Sequence, residues 1–468
     1  MSDLNGKRIL VLGLGESGLA SACWCVEAGA RVRVADTRAN PPYLAELQRR
    51  TTRADFLAGE FELHLLDDID LVVVSPGLPS DLPIVRQALA QGLPVIGEIE
   101  LFARALRALN LMAASPAPVL AITGTNGKTT TTALTGHVLR SMGQSVGVAG
   151  NISPAALTAL ANHVAQNDLP QVWVLELSSF QLETTTSLQA AAATVLNISD
   201  DHLDRYTDLV AYAAVKARIF QGGGVQVLNR QDAKVRGMAL PGRRVISFGL
   251  DAPQAATDFG LRQQTGELWL AQGEQCLLPV SKLPMQGLHN VANVMAALAL
   301  CVSLGYDVQQ LLPAVLSFQG LPHRVEKVTE INGVTWYDDS KGTNVGATVA
   351  ALTGIGGMQN RKIVLIAGGD GKGQDFSPLT SAVAQCARAV VLIGRDGPLI
   401  GSVLKELGVP LIFATDMSDA VQQANALAQK NDAVLLSPAC ASFDMFRDYA
   451  HRAEVFIAAV KNLVKATS

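Results

Sequence analysis

The sequence contains no long hydrophobic run and no block of basic residues. No uninterrupted apolar stretch approaches the roughly 18 residues that a membrane-spanning helix needs, so we expect no membrane insertion. The formal net charge is −4 and lysines and arginines are not clustered, which argues against nucleic acid as a partner. The six cysteines lack the paired spacing of zinc sites and disulfide frameworks, and we therefore expect a reducing, cytoplasmic location. Small molecules remain as the expected partners.

Hydrophobic sequence, in contrast, is abundant. Of 468 residues, 49% are hydrophobic and only 17% are charged. Such a chain is too long for one ordinary core, and at roughly 100 to 200 residues per domain it predicts about three domains. Strand-like apolar runs alternate with helical stretches, which is typical of α/β domains with buried parallel strands. We predict three domains, at residues 1–98, 99–320 and 321–468, with the proline-containing stretch 113–118 as the strongest linker candidate.

The most informative motif is the glycine-rich run at 122–130, Ile-Thr-Gly-Thr-Asn-Gly-Lys-Thr-Thr. It lies between a strand-like segment and a helix-compatible one, as phosphate-binding loops do. Backbone N–H groups of such a loop converge on an anion, Lys128 can reach terminal phosphates, and the Thr129 hydroxyl can ligate Mg²⁺. Two residues rather than four separate Gly124 from the Gly127-Lys128 pair, so this is a shortened variant. A nucleoside triphosphate is the first ligand that it predicts.

A second glycine pattern, Gly13-x-Gly15-x-x-Gly18, follows the first predicted strand and precedes Asp36 by the distance expected of a dinucleotide fingerprint. A full dinucleotide-binding domain consists of two mononucleotide-binding halves. The first unit ends near residue 98, which leaves room for only one of them. We therefore expect a nucleotide of some kind here, with a purely structural tight turn as the alternative. A nicotinamide-dependent oxidoreductase would explain these glycines, but it would leave the phosphate loop without a use.

Candidate metal ligands follow buried strands in the middle of the chain. Glu176 ends the apolar run 172–176, a position from which an acid can hold Mg²⁺ beside a phosphate loop; the alternative is a strand-end acid that faces water. Residues 200–204, Asp-Asp-His-Leu-Asp, gather three acids around His202, and they either bind metal or cap a helix. Around Lys216 the helical pattern alone predicts only an exposed lysine.

Three loops in the last third of the chain, 338–344, 368–372 and 437–442, mix small residues with polar or charged ones. Each follows a predicted strand, and loops at strand ends commonly carry binding residues. The run at 437–442, Ser-Pro-Ala-Cys-Ala-Ser, would let backbone amides approach a ligand closely. Solvated connections are the alternative for the first two loops, and close helix-to-strand packing is the alternative for the third.

Taken together, these runs resemble the Mur ligase family over essentially the whole chain. The shortened phosphate loop at 124–129 is the family's form, and the runs at 176–183, 321–324, 339–344 and 437–442 resemble the D-glutamate-adding branch. The resemblance implies an N-terminal Rossmann-like UDP-binding domain, a central P-loop ATPase-like domain and a C-terminal Rossmann-like domain that binds D-glutamate.

The resemblance also implies a reaction, an ATP-dependent amide ligation in cytoplasmic peptidoglycan precursor synthesis. ATP phosphorylates the terminal carboxylate of UDP-N-acetylmuramoyl-L-alanine, the amine of D-glutamate attacks the acyl phosphate, and ADP and phosphate are released. Two Mg²⁺ ions and nearby cations neutralise the negative charge that spreads in such a reaction. A sister ligase that adds another amino acid and a non-catalytic nucleotide switch are the alternatives, and we expect a monomer.

Individual residues acquire roles from the same resemblance. The positions implied around ATP are Gly124, Thr125, Asn126, Gly127, Lys128, Thr129, Thr130, Asn151, Asn290, Asn293, Arg324, Asp339 and Lys341. Those implied for the uridine part of the substrate are Glu16, Ser17, Asp36, Thr37 and Arg38. Those implied for D-glutamate are Thr343, Lys372, Ser442 and Tyr449, the last at a position where a phenylalanine is familiar. The implied Mg²⁺ ligands are Thr129, Glu176, His202 and Lys216 as a carbamate, and the implied catalytic residues are Lys128, His202 and Lys216.

Overall fold

The computed structural model describes residues 2–201, 205–285, 287–359 and 361–467. Three β-sheets follow one another along the chain, so the predicted three-domain α/β architecture is confirmed. The predicted domain limits at 98 and 320 remain predictions. In the described part of the chain, no helix combines the length and the apolar composition needed to cross a bilayer.

The N-terminal unit is a parallel sheet flanked by helices. Its strands are β1 (Arg8–Leu12), β2 (Arg31–Asp36), β3 (Ala54–Ala58), β4 (Leu71–Val74) and β5 (Val95–Ile96), and its helices are α1 (Glu16–Glu27), α2 (Leu44–Arg50), α3 (Pro83–Ala90) and α4 (Glu98–Met112). The strand order is β3-β2-β1-β4-β5, with every pair parallel. Because the order reverses beside β1, the Gly13-Leu14-Gly15 turn lies at the switch point where open α/β sheets bind ligands.

The central unit begins after residues 113–118, which connect α4 to the next strand without regular structure. Its strands are β6 (Val119–Thr123), β7 (Val146–Gly150), β8 (Val172–Glu176), β9 (Ala192–Val195), β10 (Val225–Asn229), β11 (Val245–Phe248), β12 (Phe259–Gln264), β13 (Glu267–Gln272) and β14 (Gln275–Pro279). Its helices are α5 (Lys128–Ser141), α6 (Ala156–Gln166), α7 (Ser179–Glu183), α8 (Leu209–Ala217), α9 (Ala233–Arg236), α10 (Leu288–Ser303) and α11 (Val308–Ser317).

The central sheet has the order β14-β13-β12-β11-β10-β9-β6-β8-β7. Ile122 of β6 pairs with Glu176 of β8, so the parallel register brings the carboxyl ends of these strands together. The strands β12 to β14 are antiparallel to one another, and the sequence prediction missed them, as it missed β3. Thr265-Gly266 forms the two-residue turn between β12 and β13, with positive φ angles of 53° and 79°, and its glycine was the signal available in the sequence.

The C-terminal unit is a mostly parallel sheet. Its strands are β15 (Glu326–Ile331), β16 (Val334–Asp338), β17 (Ile363–Gly368), β18 (Ala387–Ile393), β19 (Leu411–Phe413) and β20 (Ala433–Leu436), and its helices are α12 (Val345–Gln359), α13 (Leu379–Cys386), α14 (Gly397–Leu404), α15 (Met417–Leu427) and α16 (Tyr449–Thr467). The order is β15-β16-β20-β17-β18-β19, and only the β15–β16 pair is antiparallel. The loops after β16, β17 and β20 therefore meet at one edge of the sheet.

The three units are joined in different ways. The N-terminal and central units share one hydrophobic core, in which α1 and α4 pack on α6 and the Phe102 ring meets Trp173 edge to face at 5.0 Å. Two separate cores stabilise the C-terminal unit, and among the described residues they contain none from the other two units. The first two units are thus held together by a shared apolar core, whereas the third has its own cores and meets the central unit where α12 packs against α10.

Candidate active site

The phosphate loop connects β6 to α5. Gly124 and Gly127 have φ angles of 148° and 84°, and a Cβ atom on Gly127 would lie 2.3 Å from the Asn293 side chain, so glycine is required here. Lys128 Nζ donates to the carbonyl oxygens of Gly124 at 2.8 Å and Thr125 at 2.7 Å, which folds the ammonium group over the loop. Burial lowers the pKa of Lys128. The loop and the first turn of α5 form a cationic nest for an anion.

Glu176 lies at the carboxyl end of β8, beside this loop, and its side chain is buried. One carboxylate oxygen, Oε1, accepts a hydrogen bond of 2.7 Å from Asn151 Nδ2. The other, Oε2, is buried and has no hydrogen-bond partner among the residues that the structure describes. An anionic oxygen buried without a donor is costly, so this atom fits a bound cation such as Mg²⁺.

Lys216 lies on α8, and only 1% of the residue is exposed, so the exposed lysine indicated by the helical pattern is wrong. Its Nζ donates to the Gly124 carbonyl oxygen at 3.0 Å and the Thr123 hydroxyl at 3.3 Å, beneath the phosphate loop. Burial, and then the charge of Lys128, hold the pKa of Lys216 well below its usual range. A lowered pKa makes the neutral, nucleophilic amine more accessible than it is in an exposed lysine. His202 lies outside the described residues.

The C-terminal unit contributes two more cations. Arg324 Nη2 donates to the Thr129 hydroxyl at 2.7 Å, which joins this unit to the phosphate loop. Lys341 Nζ lies 3.6 Å from the centre of the Tyr449 ring, and burial, together with the charge of Arg324, lowers the pKa of Lys341 to about 8. Nearby, Asp339 accepts a bond of 2.7 Å from the Ser437 hydroxyl, and burial raises the pKa of Asp339 to about 7.

Most of these groups line a cavity of about 710 Å³ between the three units, whereas Gly124 and Lys216 line none of the cavities described here. The predicted site residues that line it are Glu16, Thr125, Asn126, Gly127, Lys128, Thr129, Asn151, Glu176, Arg324, Lys341, Thr343, Lys372 and Tyr449. A neighbouring cavity of about 350 Å³ is lined by Thr130, Asn290, Asn293 and Asp339 as well as by part of this set. Ser442 lines none of the cavities described here and is buried, and its carbonyl oxygen accepts from the N–H groups of Met445 and Phe446.

A third cavity, of about 510 Å³, lies at the switch point of the N-terminal sheet and contains Ser17, Thr37 and Arg38. The Asp36 carboxylate accepts the Leu14 N–H at 2.7 Å and the Arg38 guanidinium at 2.8 and 2.7 Å. The hydrogen bonds from Arg38 lower the pKa of Asp36 to about 2 despite burial. Asp36 therefore stays ionised, and it fixes the glycine turn while it holds Arg38 at the cavity.

The Glu16 carboxylate is hydrogen-bonded to the central unit. Its Oε1 accepts from Ser153 Oγ at 2.8 Å and from the Ala155 N–H at 3.0 Å, just before α6 of the central unit. The carboxylate thus connects the first helix of the chain to the segment that carries Asn151. A direct contact of Glu16 with a uridine group stays a prediction.

Sequence reasoning missed several residues that line these cavities. Ser75 and Gln181 line the cavity at the N-terminal switch point, and His289 lines the one beside Asn290. Ser75 directly follows β4, so the strand-end rule that selected other loops was a usable signal for it. Nothing local marks His289, because the packing of α10 against α12 puts it in the cavity.

The arrangement suits chemistry on phosphate groups. Lys128, Arg324 and Lys341 converge on a loop of backbone donors, next to a buried carboxylate oxygen that can hold a cation. Fixed positive groups of this kind stabilise the spreading negative charge of phosphoryl transfer, and they do so strongly where water is excluded.

Comparison with known proteins gives three matching family models, which together cover most of the chain. They are the Mur ligase MurD-like N-terminal domain at residues 7–97, the Mur ligase middle domain at 122–301 and the Mur ligase glutamate ligase domain at 323–440. The UDP-N-acetylmuramoylalanine–D-glutamate ligase of Aromatoleum aromaticum is 57% identical over 466 residues, with 99% of each chain covered. The protein of that name from Thiobacillus denitrificans is 56% identical over 469 residues, with 98% of this chain and 97% of the relative covered.

A solved structure shares the fold along nearly the whole chain. It is the UDP-N-acetylmuramate-alanine ligase of Thermotoga maritima, with a TM-score of 0.61 and 21% sequence identity, and the match covers 97% of this chain and 99% of that one.

Proposed function

The chain belongs to the Mur ligase family, and we propose that it is an ATP-dependent ligase that adds D-glutamate to UDP-N-acetylmuramoyl-L-alanine. Relatives that are 50–57% identical over their whole length are named for this reaction. The observation that carries the proposal is the convergence of Lys128, Arg324 and Lys341 on the phosphate loop. Beside it lies Glu176 Oε2, which has no hydrogen-bond partner among the described residues. A nicotinamide oxidoreductase would use none of these groups.

The reaction joins two substrates through an activated acid. A carboxylate oxygen of the muramoyl-alanine attacks the γ-phosphorus of ATP, the bond to the β-phosphate oxygen breaks, and an acyl phosphate and ADP result. The amine of D-glutamate, having lost a proton, then attacks the acyl carbon, and phosphate leaves as the amide forms. Lys128 and Arg324 neutralise the phosphates and orient them for in-line transfer. Asp36 and Arg38 hold the uridine end, while Thr343, Lys372 and Tyr449 lie towards the amino acid.

Mg²⁺ would be held by the Thr129 hydroxyl, by Glu176, by His202 and by Lys216 as a carbamate, and it would neutralise phosphate charge there. Formation of the carbamate joins the Lys216 amine to CO₂ through a new C–N bond and releases a proton. Its support is the burial of Lys216 and the low pKa of its amine beneath the loop. The product is an anion where an ammonium group would repel both Lys128 and a metal ion.

Phosphate release with different amino acids tests the proposed function. Purified protein with Mg-ATP and UDP-N-acetylmuramoyl-L-alanine should release phosphate when D-glutamate is added, with a product of the corresponding mass. L-glutamate, L-alanine, glycine and a diamino acid should give no release. Release with another amino acid would favour a sister ligase, and no release with any of them would favour a non-catalytic nucleotide switch.

Removal of the Glu16 carboxylate should weaken binding of the UDP substrate. We expect Glu16→Ala to raise its KM roughly fivefold with kcat unchanged, because the segment before α6 loses two hydrogen bonds to the N-terminal unit. Glu16→Gln keeps an oxygen acceptor and is the matched control. Ser153→Ala removes one of the two donors that bind Glu16, and it should also raise the KM for the UDP substrate in steady-state assays. An increase with Glu16→Ala but none with Ser153→Ala would indicate direct contact with uridine instead.

The chain carries residues for all three substrates, which supports action as a monomer, and a mass measurement by light scattering tests this. All six cysteines are free thiols, which supports the cytoplasmic location expected from the sequence.

A further inference from the structure

The C-terminal unit contacts the phosphate loop through two side-chain hydrogen bonds. Arg324 donates to Thr129, as described above. The second bond runs from Asn344 Nδ2 to Asn126 Oδ1 at 3.0 Å, between residues that are 218 positions apart in the chain. Helix α12 also packs against α10 of the central unit, so these hydrogen bonds act together with that packing in aligning the C-terminal unit with the phosphate loop.

Both asparagines are held firmly in their own units. The Asn197 side chain pairs with the backbone of Asn126, since its Oδ1 accepts the Asn126 N–H at 2.8 Å and its Nδ2 donates to the Asn126 carbonyl at 3.1 Å. On the other side, Asn344 Oδ1 accepts the Ala347 N–H at 2.9 Å, in the first turn of α12. We call the chain from Asn197 through Asn126 and Asn344 to α12 the asparagine relay.

The surroundings leave little space for the relay to shift. Asn344 is 7% exposed. A Cβ atom on Gly346 would lie 3.1 Å from Asn126 Nδ2, so the first turn of α12 packs closely on the Asn126 amide. The geometry of the relay therefore has little freedom to change, in contrast to that of a long, exposed ion pair.

In the middle of the relay, the Asn126–Asn344 bond joins two segments that line one cavity. Asn126 lies two residues before Lys128, in the loop that faces the phosphates, and Asn344 directly follows Thr343, which lines the same cavity. Resting on the proposed function, we infer that Asn344 is a positioning residue: acting through Asn126, it aligns the amino-acid pocket with the acyl phosphate formed at the loop. Small misplacements of an attacking group are costly, because reaction requires a near-attack distance and angle.

The substitution Asn344→Ser separates this role from helix capping. Serine accepts the N–H groups of a first helical turn nearly as well as asparagine does, but it is too short to reach Asn126. We expect kcat/KM for D-glutamate to fall roughly 10- to 100-fold, and the Kd for ATP measured without the other substrates to change less than about twofold. As the matched control, Thr353→Gly weakens α12 at an exposed position away from the relay and should keep wild-type kinetics.

A double-mutant cycle tests whether the two asparagines act through each other. Asn126→Ala and Asn344→Ala should each lower kcat/KM for D-glutamate, and the double variant should be much less impaired than the product of the two effects predicts. The inference would be overturned if the two single effects on kcat/KM simply multiplied in the double variant, or if Asn344→Ser kept the wild-type kcat/KM. Equal losses of kcat/KM in Asn344→Ser and Thr353→Gly would also overturn it, because they would show a purely structural role.

Small-angle X-ray scattering distinguishes failure of the relay from failure of the proposed function. With a non-hydrolysable ATP analogue and Mg²⁺, Asn344→Ser should be more extended than the wild type, whatever amino acid the enzyme uses, because it lacks the bond that holds the C-terminal unit to the phosphate loop. Scattering curves that coincide would overturn the relay. Lack of phosphate release by the wild type with D-glutamate would instead overturn the proposed function and leave the scattering comparison valid.

Discussion

The substitution Lys216→Ala is expected to lower kcat by about 10²- to 10³-fold, the scale measured when one preorganised electrostatic group is lost from a site. Lys216 Nζ lies beneath the phosphate loop, 3.0 Å from the Gly124 carbonyl oxygen, with no room for bulk water. As a carbamate it would place an anion beside the predicted Mg²⁺ position. Alanine removes that anion and leaves no replacement, so the phosphates and the metal ion lose their alignment. Steady-state kinetics at saturating substrates measure the loss.

Three controls separate the carbamate from a simple structural role. Lys216→Arg keeps a cation of similar length but cannot form a carbamate, so it should be as inactive as the alanine variant. Acetate or formate should partly restore Lys216→Ala, because a small acid can occupy the space and supply the carboxylate. Wild-type enzyme in CO₂-free buffer should lose activity reversibly. Full activity in Lys216→Arg would contradict the carbamate.

The substitution Lys128→Met is expected to lower kcat/KM for ATP by about 10³-fold. Methionine keeps much of the length and the apolar stem but removes the charge that serves the terminal phosphates. Within the described part of the structure, Lys128 Nζ donates hydrogen bonds only to backbone carbonyls of its own loop, those of Gly124 and Thr125. The ammonium can therefore leave these carbonyls for phosphate oxygens with little rearrangement of the unit.

ADP binding provides the comparison for this variant. Because the charge is expected to act most strongly on the γ-phosphate during transfer, the Kd for ADP should change much less than kcat/KM for ATP. Thermal unfolding should show that the variant is folded. Equal losses in ADP affinity and in turnover would contradict a role in the transition state and indicate ground-state phosphate binding alone.

Local pattern sufficed for most of the strands and for the motifs at their ends. The phosphate loop, the acid that ends β8 and the loops after β16, β17 and β20 were all readable, because parallel strands bring their carboxyl ends to one edge of a sheet. The antiparallel strands β12 to β14 were missed because their partly exposed residues give a weak apolar signal, although the Thr265-Gly266 turn marked the hairpin.

Residue types and spacing alone therefore decided the fold class and the phosphate loop, since these depend on short-range periodicity and on which backbone angles glycine permits. The family followed from the resemblance of the motifs to those of known proteins. Tertiary structure decided what depends on distant segments meeting. It buried Lys216 under the loop, although its helix reads as exposed, and it turned Glu16 towards Ser153. It also paired Asn126 with Asn344 across 218 positions. No local pattern encodes such contacts, because burial and hydrogen-bond partners are properties of the packed chain and not of the residue.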